Sequence, residues 1–311
     1  MRAPREDRPT AAEPAGAAPE TGDPSYPDHL CGIVEAYLGD LDFGAAPAAQ
    51  PLVAAMRYSL LAGGKRIRPV LTLSVAEREG RSPQSVLPFA AALELIHTYS
   101  LIHDDLPAID DDDLRRGKPT CHVVFGEDIA ILAGDGLFAE AYRLVLEEQE
   151  APADVIVVVL AEIAAATGVR GMVGGQYMDV AGAASDDDDL RTLHALKTGR
   201  LIEAAVVGGA LLCRVSSDGL AAYRAYAREV GLLFQIVDDI LDVVGEAETL
   251  GKSAGKDARQ DKTTYVSRFG LEAARRLATE SHERAGRLLE ALGGHGGSLR
   301  TVTDYVYRRR S

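Results

Sequence analysis

From Asp28 onward, apolar residues recur at intervals of three and four, and the strict alternation of a half-buried strand is nearly absent. That pattern predicts an all-α protein. Segments 29–40, 48–62, 69–79, 86–105, 127–148, 152–167, 170–181, 200–215, 218–243, 271–292 and 298–308 carry the helical period. Gly and Pro punctuate them at Gly63-Gly64, Pro83, Gly117 to Pro119 and Gly293-Gly294. Leu93, Ile96, Tyr99, Leu101 and Ile102 make the 86–105 segment a buried helix that runs directly into an acidic stretch.

Residues 1–27 lack the period. They are rich in Pro, Ala and mixed charge, with no apolar core of a leader, and Glu6, Asp7 and Glu13 speak against a transit peptide. A disordered N-terminal tail is expected there, followed by one folded domain over 28–311. The 311 residues are 47% hydrophobic, enough for one large core. A net charge of −14 argues against nucleic acid or an anionic membrane as partner, since either calls for a basic face. The most apolar later run, Val155 to Ala166, is interrupted by Glu162 and reads as too short to span a bilayer. No stable membrane association is therefore expected. Cys31, Cys121 and Cys213 are far apart and odd in number, which suits a reducing cytoplasm and indicates neither a disulfide framework nor a zinc site.

The chemistry concentrates in His103-Asp104-Asp105-Leu106-Pro107-Ala108-Ile109-Asp110-Asp111-Asp112-Asp113-Leu114-Arg115-Arg116. Crowded carboxylates repel unless a cation neutralises them, and Mg²⁺ selects hard oxygen ligands together with phosphate oxygens and water. Two arginines follow at once, and a guanidinium grips phosphate in a fork. A metal-bridged phosphate ligand fits this order better than a bare cation. The run Asp186-Asp187-Asp188-Asp189 is an internal control: small residues precede it, no paired arginines follow, and it reads as surface.

A second acidic cluster lies in Phe234-Gln235-Ile236-Val237-Asp238-Asp239-Ile240-Leu241-Asp242, where Asp238 and Asp242 stack at i, i+4 above Gln235. Like charges at that spacing destabilise a helix unless a ligand neutralises them. The basic loop Leu250 to Asp257, with Lys252, follows it, and Lys262 comes next, as a lid over phosphate would. Earlier, Gly63-Gly64-Lys65-Arg66-Ile67-Arg68-Pro69 joins two helices and reads as an anion cradle at a helix N-terminus, with Pro69 at the first helical position. His97 lies two turns before Asp104 on the same face. Gln176 and Asp179 sit three apart on one helix, and Lys197-Thr198-Gly199 reads as the opening of another; ordinary capping would explain either.

Together these motifs resemble the trans-prenyl diphosphate synthases over about residues 29–305. Asp104-Asp105-Leu-Pro-Ala-Ile-Asp110 is similar to the family's first Asp-rich motif in its bacterial form with two residues inserted, and Asp238-Asp239-Ile-Leu-Asp242 to its second. The resemblance implies the all-α isoprenoid synthase fold, antiparallel helices around a central cavity, and a homodimer. It implies catalytic roles for Asp104, Asp105, Asp110, Lys197, Asp238 and Asp239, with Mg²⁺ held by Asp104, Asp110, Asp238 and Asp242. Isopentenyl diphosphate would bind Lys65, Arg68, His97 and Arg116. The allylic diphosphate would meet Arg115, Lys197, Thr198, Gln235, Lys252 and Lys262. Thr264-Tyr265-Val266 lacks the Pro that often follows this Tyr, which weakens the assignment of Lys262.

Chain length is assigned to Tyr99 and Ser100. An aromatic residue five positions before the first motif resembles the bacterial farnesyl type, so farnesyl diphosphate is the expected product and geranylgeranyl diphosphate the alternative. A terpene cyclase would carry Ser or Thr at Asp242 and has no use for Lys65, Arg68 and Arg116. A non-catalytic partner subunit would lose acids that are intact here.

Overall fold

A computed structural model describes residues 26–248, 264–293 and 296–309, the side chains of 245–248 excepted. The expected all-α architecture is present. The helices are α1 (Asp28–Asp40), α2 (Gln50–Leu60), α3 (Ile67–Arg78), α4 (Leu87–Asp104), α5 (Cys121–Phe125), α6 (Glu127–Arg143), α7 (Ala153–Thr167) and α8 (Met172–Val180). They continue as α9 (Asp187–His194), α10 (Arg200–Leu212), α11 (Ser217–Glu248), α12 (Tyr265–Phe269), α13 (Leu271–Ala291) and α14 (Gly297–Arg308). A ribbon of two short antiparallel strands, β1 (Leu114–Arg115) and β2 (Lys118–Pro119), interrupts them.

The core forms where α3, α4, α10 and α11 meet. Every residue of α3 from Pro69 to Ala76 is buried, as is every residue of α10 from Leu201 to Ala210. Helices buried on every face belong in a centre rather than on a surface. Gly208 makes the crossing possible, because a Cβ there would collide with the ring of Phe89 on α4. Thr72 Oγ1 donates to the carbonyl of Ala205 at 2.9 Å, which pairs a buried polar side chain of α3 with α10.

Several boundaries differ from the sequence expectation. Helix α3 begins at Ile67, two residues early, so Pro69 stands inside the first turn instead of opening it. The acidic run at 186–189 lies at the surface, as expected, with Asp186 and Asp188 exposed and Asp187 and Asp189 partly so, but it starts a helix that periodicity does not show. Asp186 accepts hydrogen bonds from the amides of Asp188 and Asp189 and caps α9. Residues 1–25 lie outside the described residues. Tyr26, placed in the tail by its sequence, is 5% exposed and belongs to the fold, packed edge-on against Tyr305 at 4.7 Å.

The apolar run around α7 also extends further than the sequence suggested. Among the described residues, Pro83–Asp104 and Ala153–Val180 are both long and apolar enough to cross a membrane by length and composition. The first is mostly core, and turn residues break the second between α7 and α8.

Candidate active site

The first acidic cluster is shaped by a loop that folds back on the helix carrying it. Beyond the end of α4, the amide of Asp110 donates to the carbonyl of Asp104 at 2.9 Å and that of Asp112 to the carbonyl of Asp105 at 3.1 Å. The inserted residues thereby return Asp110 to the helix end, where its charge acts on Asp104. Burial pushes the Asp104 carboxyl up to about 6; Asp110 and Asp105 add to that rise, while Lys197 and Arg115 oppose it. Burial is the main cost to its charge, and a cation beside it would offset that cost.

The two acids of the Asp104-Asp105 pair have different tasks. Asp105 is 3% exposed and its carboxylate receives Arg115 Nε at 2.8 and 3.0 Å and Nη2 at 2.6 Å. The guanidinium expected to grip diphosphate is thus engaged in clamping the loop. The second motif repeats the division. Asp239, also 3% exposed, accepts from the Tyr265 amide and from Gln235 Nε2, both at 2.7 Å. Asp238 instead stands half exposed, and Arg309 Nη2 reaches it at 3.0 Å from the end of α14 while the guanidinium lies 4.0 Å over the Phe234 ring. Asp242 follows on α11 and is exposed.

Lys197 and Thr198 occupy a π-helical turn, Ala195–Gly199, that joins α9 to α10, so they do not open a helix. Such turns displace a residue from the regular ladder. Lys197 Nζ bonds Asp179 Oδ2 of α8 at 2.5 Å, and Thr198 Oγ1 bonds Gln235 Oε1 at 3.1 Å. A Cβ at Gly175 would overlap the backbone nitrogen of Lys197, which is why α8 can lie so close to the turn. Gln176 beside it has both amide atoms buried without a hydrogen bond. Its three-residue spacing from Asp179 was visible in the sequence and resembled capping.

The basic half is assembled from two turns. Arg116 and Gly117 both have positive φ, 52° and 72°, the pattern of a type I′ hairpin turn between β1 and β2. The Arg116 guanidinium is laid across Gly64, where a Cβ would come within 2.5 Å of Nη1. Lys65 Nζ stands 5.9 and 5.3 Å from the ring centres of Tyr26 and Tyr305. Arg68 is pushed down by burial and by Arg116, against the pull of Glu94 and Asp238. His97 is pushed well below the usual histidine range by burial, then by Arg68, Arg116, Arg115 and Arg66, so it is neutral at physiological pH.

Arg68, His97 and Arg116 therefore lie close enough for their charges to act on one another, while Lys65, on the same turn as Arg68, stands over the Tyr26 and Tyr305 rings. Arg68, Arg116 and His97 are each pushed down by burial and by neighbouring cations, an arrangement that an anion would relieve. In the other half Asp110 and Lys197 act on Asp104, Thr198 bonds Gln235, and Asp238, held by Arg309, lies near enough to act on Arg68. Lys252 and Lys262 lie outside the described residues. Tyr99 packs edge-on against His103 and Phe138, with ring centres at 5.8 and 5.0 Å, and Phe138 against Tyr142 at 5.1 Å. Ser100 turns its hydroxyl back to the His97 carbonyl at 2.9 Å.

Known proteins resemble this chain in sequence and fold. The family model described as polyprenyl synthetase matches residues 49–298. The chain is 45% identical over 260 residues to a geranylgeranyl diphosphate synthase of Cyanophora paradoxa, covering 82% of this chain and 87% of that one. It is 43% identical over 265 residues to a farnesyl diphosphate synthase of Micrococcus luteus, covering 85% and 91%. The apo crystal structure of an FPP/GFPP synthase from Zymomonas mobilis superposes with a TM-score of 0.80 at 35% identity, covering 90% of this chain and 96% of that one. With its all-α isoprenoid synthase fold, the chain belongs to the polyprenyl synthetase family and is a prenyltransferase, a trans-prenyl diphosphate synthase of the farnesyl and geranylgeranyl type.

Proposed function

We propose that the enzyme extends dimethylallyl and geranyl diphosphates with isopentenyl diphosphate, head to tail, and releases (2E,6E)-farnesyl diphosphate. One observation supports the two-substrate reading: the cations Lys65, Arg68 and Arg116 sit on the Gly63–Pro69 turn and the β1–β2 turn, apart from the acids that end α4 and line α11. One diphosphate fits each. A cyclase, with a single diphosphate, would leave the cluster of Lys65, Arg68 and Arg116 without a ligand.

The donor set suits Mg²⁺. Asp104, Asp110, Asp238 and Asp242 offer hard oxygens, and Asp104 already resists carrying its charge without a cation. Among the described residues no three metal-ligating side chains already converge, so the two motifs would share ions with the substrate's phosphate oxygens. When bound, Mg²⁺ supplies Lewis-acid neutralisation of the leaving diphosphate. Lys197, fixed by Asp179, adds positive charge to the same leaving group. Asp105 and Asp239 act as clamps: the first holds the loop of Asp110, the second holds Gln235 and the chain at Tyr265.

Isopentenyl diphosphate is held by Lys65, Arg68, His97 and Arg116 without metal. Neutral His97 donates one hydrogen bond and adds no repulsion to its arginines. As the allylic C–O bond breaks, the isopentenyl double bond attacks the allylic carbon, and the proton then lost passes to the departing diphosphate. Apolar walls keep water from the cation.

Tyr99 sets the length. It lies roughly 7 Å below Asp104 at a rise of about 1.5 Å per residue, and Phe138 and Tyr142 stand behind it. Product analysis with labelled isopentenyl diphosphate and each allylic starter in turn is expected to give farnesyl diphosphate. Tyr99→Ala is expected to lengthen the product by at least one isoprene unit while initial rates stay within about tenfold. Geranylgeranyl diphosphate from the unaltered enzyme would favour the second reading, which the small Ser100 and the geranylgeranyl relative support.

The outer faces of α6, α7 and α8 expose Ile131, Leu132, Val157, Val158, Val173, Tyr177 and Val180. Apolar area of this kind marks an interface, and we assign it to a second copy of the chain in a cytoplasmic homodimer.

A further inference from the structure

Arg66 lies between two residues of the proposed isopentenyl diphosphate cradle, yet it faces the other way. It is 3% exposed, whereas Lys65 before it is exposed. Its Nε donates to Glu35 Oε1 at 2.6 Å and Nη1 to Glu94 Oε1 at 2.8 Å. Nη2 donates to the carbonyl of Leu60 at 2.7 Å and, more weakly, to Glu35 Oε2 at 3.4 Å. One planar fork thus ties the turn to α1, to the end of α2 and to α4. A lysine, with a single point of charge, could not reach all three.

The backbone at Arg66 has φ 50° and ψ 39°, a left-handed conformation that side chains other than glycine rarely adopt. Reversal of the chain there sends the Arg66 side chain inward and leaves Lys65 outward, over the rings of Tyr26 and Tyr305. Glu94 is itself 2% exposed and sits one helical turn before His97 on α4. The ion pair therefore sets the cradle's cations against the histidine of the same half-site, and against the helix that ends at Asp104.

We infer that Arg66 is a positioning residue for isopentenyl diphosphate: with Glu94 and Glu35 it fastens the Gly63–Pro69 turn to α4, so that Lys65, Arg68 and His97 meet the diphosphate together. The inference rests on assigning that turn to isopentenyl diphosphate. A buried ion pair by itself is weak support for stability, and replacing both partners with apolar residues is often neutral, whereas breaking one alone is costly. This separates placement from folding.

The experiment compares Arg66→Lys, the double variant R66M/E94M and Lys65→Ala with the full-length wild type, measuring thermal stability, kcat and KM for each substrate. Both Arg66 variants are expected to raise KM for isopentenyl diphosphate by about tenfold with the allylic KM within about twofold. R66M/E94M is expected to melt close to the wild type; if it does not fold, Arg66→Lys decides. An unchanged isopentenyl KM in a folded Arg66 variant, beside a raised one in Lys65→Ala, overturns the positioning role. An unchanged KM in Lys65→Ala overturns the assignment of the turn instead.

Discussion

Asp104→Ala and Asp238→Ala are each expected to lower kcat by about a thousandfold or more, the consequence of losing about 4 kcal/mol of charge stabilisation on the leaving group. Folding should respond in the opposite sense at Asp104. Its carboxyl is pushed from the ordinary 3.8 up to about 6, chiefly by burial. A raised carboxyl binds its proton more tightly folded than unfolded, so near neutral pH the ionised group costs the metal-free fold about 3 kcal/mol. Asp104→Ala should therefore melt higher than the wild type in chelator while being inactive. Asp238 is half exposed and paired with Arg309, so its removal should leave melting little changed. Steady-state rates and thermal melts of the two variants check both halves. Near-wild-type turnover in both would remove the metal from the mechanism.

Removing Lys65 and Arg68 together is expected to raise KM for isopentenyl diphosphate by about a hundredfold or more, since each lost charge-assisted contact costs about 1.5–3 kcal/mol. The allylic KM should stay nearly constant, because none of the residues proposed to hold its diphosphate lies on the Gly63–Pro69 turn. Crowding makes the outcome asymmetric. Arg68 is held below its usual range by burial and by Arg116, so the double variant sheds repulsion in the free enzyme while it loses affinity. Equal damage to both substrates in the kinetics would show that the turn shapes the whole site rather than one half.

The acids and the basic turn were legible because each is local: an apolar helix ending in carboxylates, or glycines beside cations, is visible within ten residues. What a carboxylate does once folded is not local. Nothing in the succession Asp238-Asp239 says that the first meets Arg309, 71 residues away, while the second holds the Tyr265 amide, 26 away. Arg66 read as one cation of three, because its partners Glu35 and Glu94 lie 31 and 28 residues off in the sequence. The short helix α9 was hidden by its acids, which read as loop yet are favoured in a first turn by the helix dipole. Tyr26 was lost to the tail because a single aromatic among prolines has no period; its place comes from Tyr305.

The division of labour between the two half-sites is tested most directly by calorimetric titration of the full-length enzyme with isopentenyl diphosphate and, separately, with an unreactive thio analogue of geranyl diphosphate, each with Mg²⁺ and with chelator. Isopentenyl diphosphate should bind with the same affinity, within about threefold, in either condition, while the allylic analogue should lose about a hundredfold or more without metal, close to 3 kcal/mol. Equal dependence on Mg²⁺ for both ligands, or none for either, would contradict the assignment of acids to one diphosphate and cations to the other.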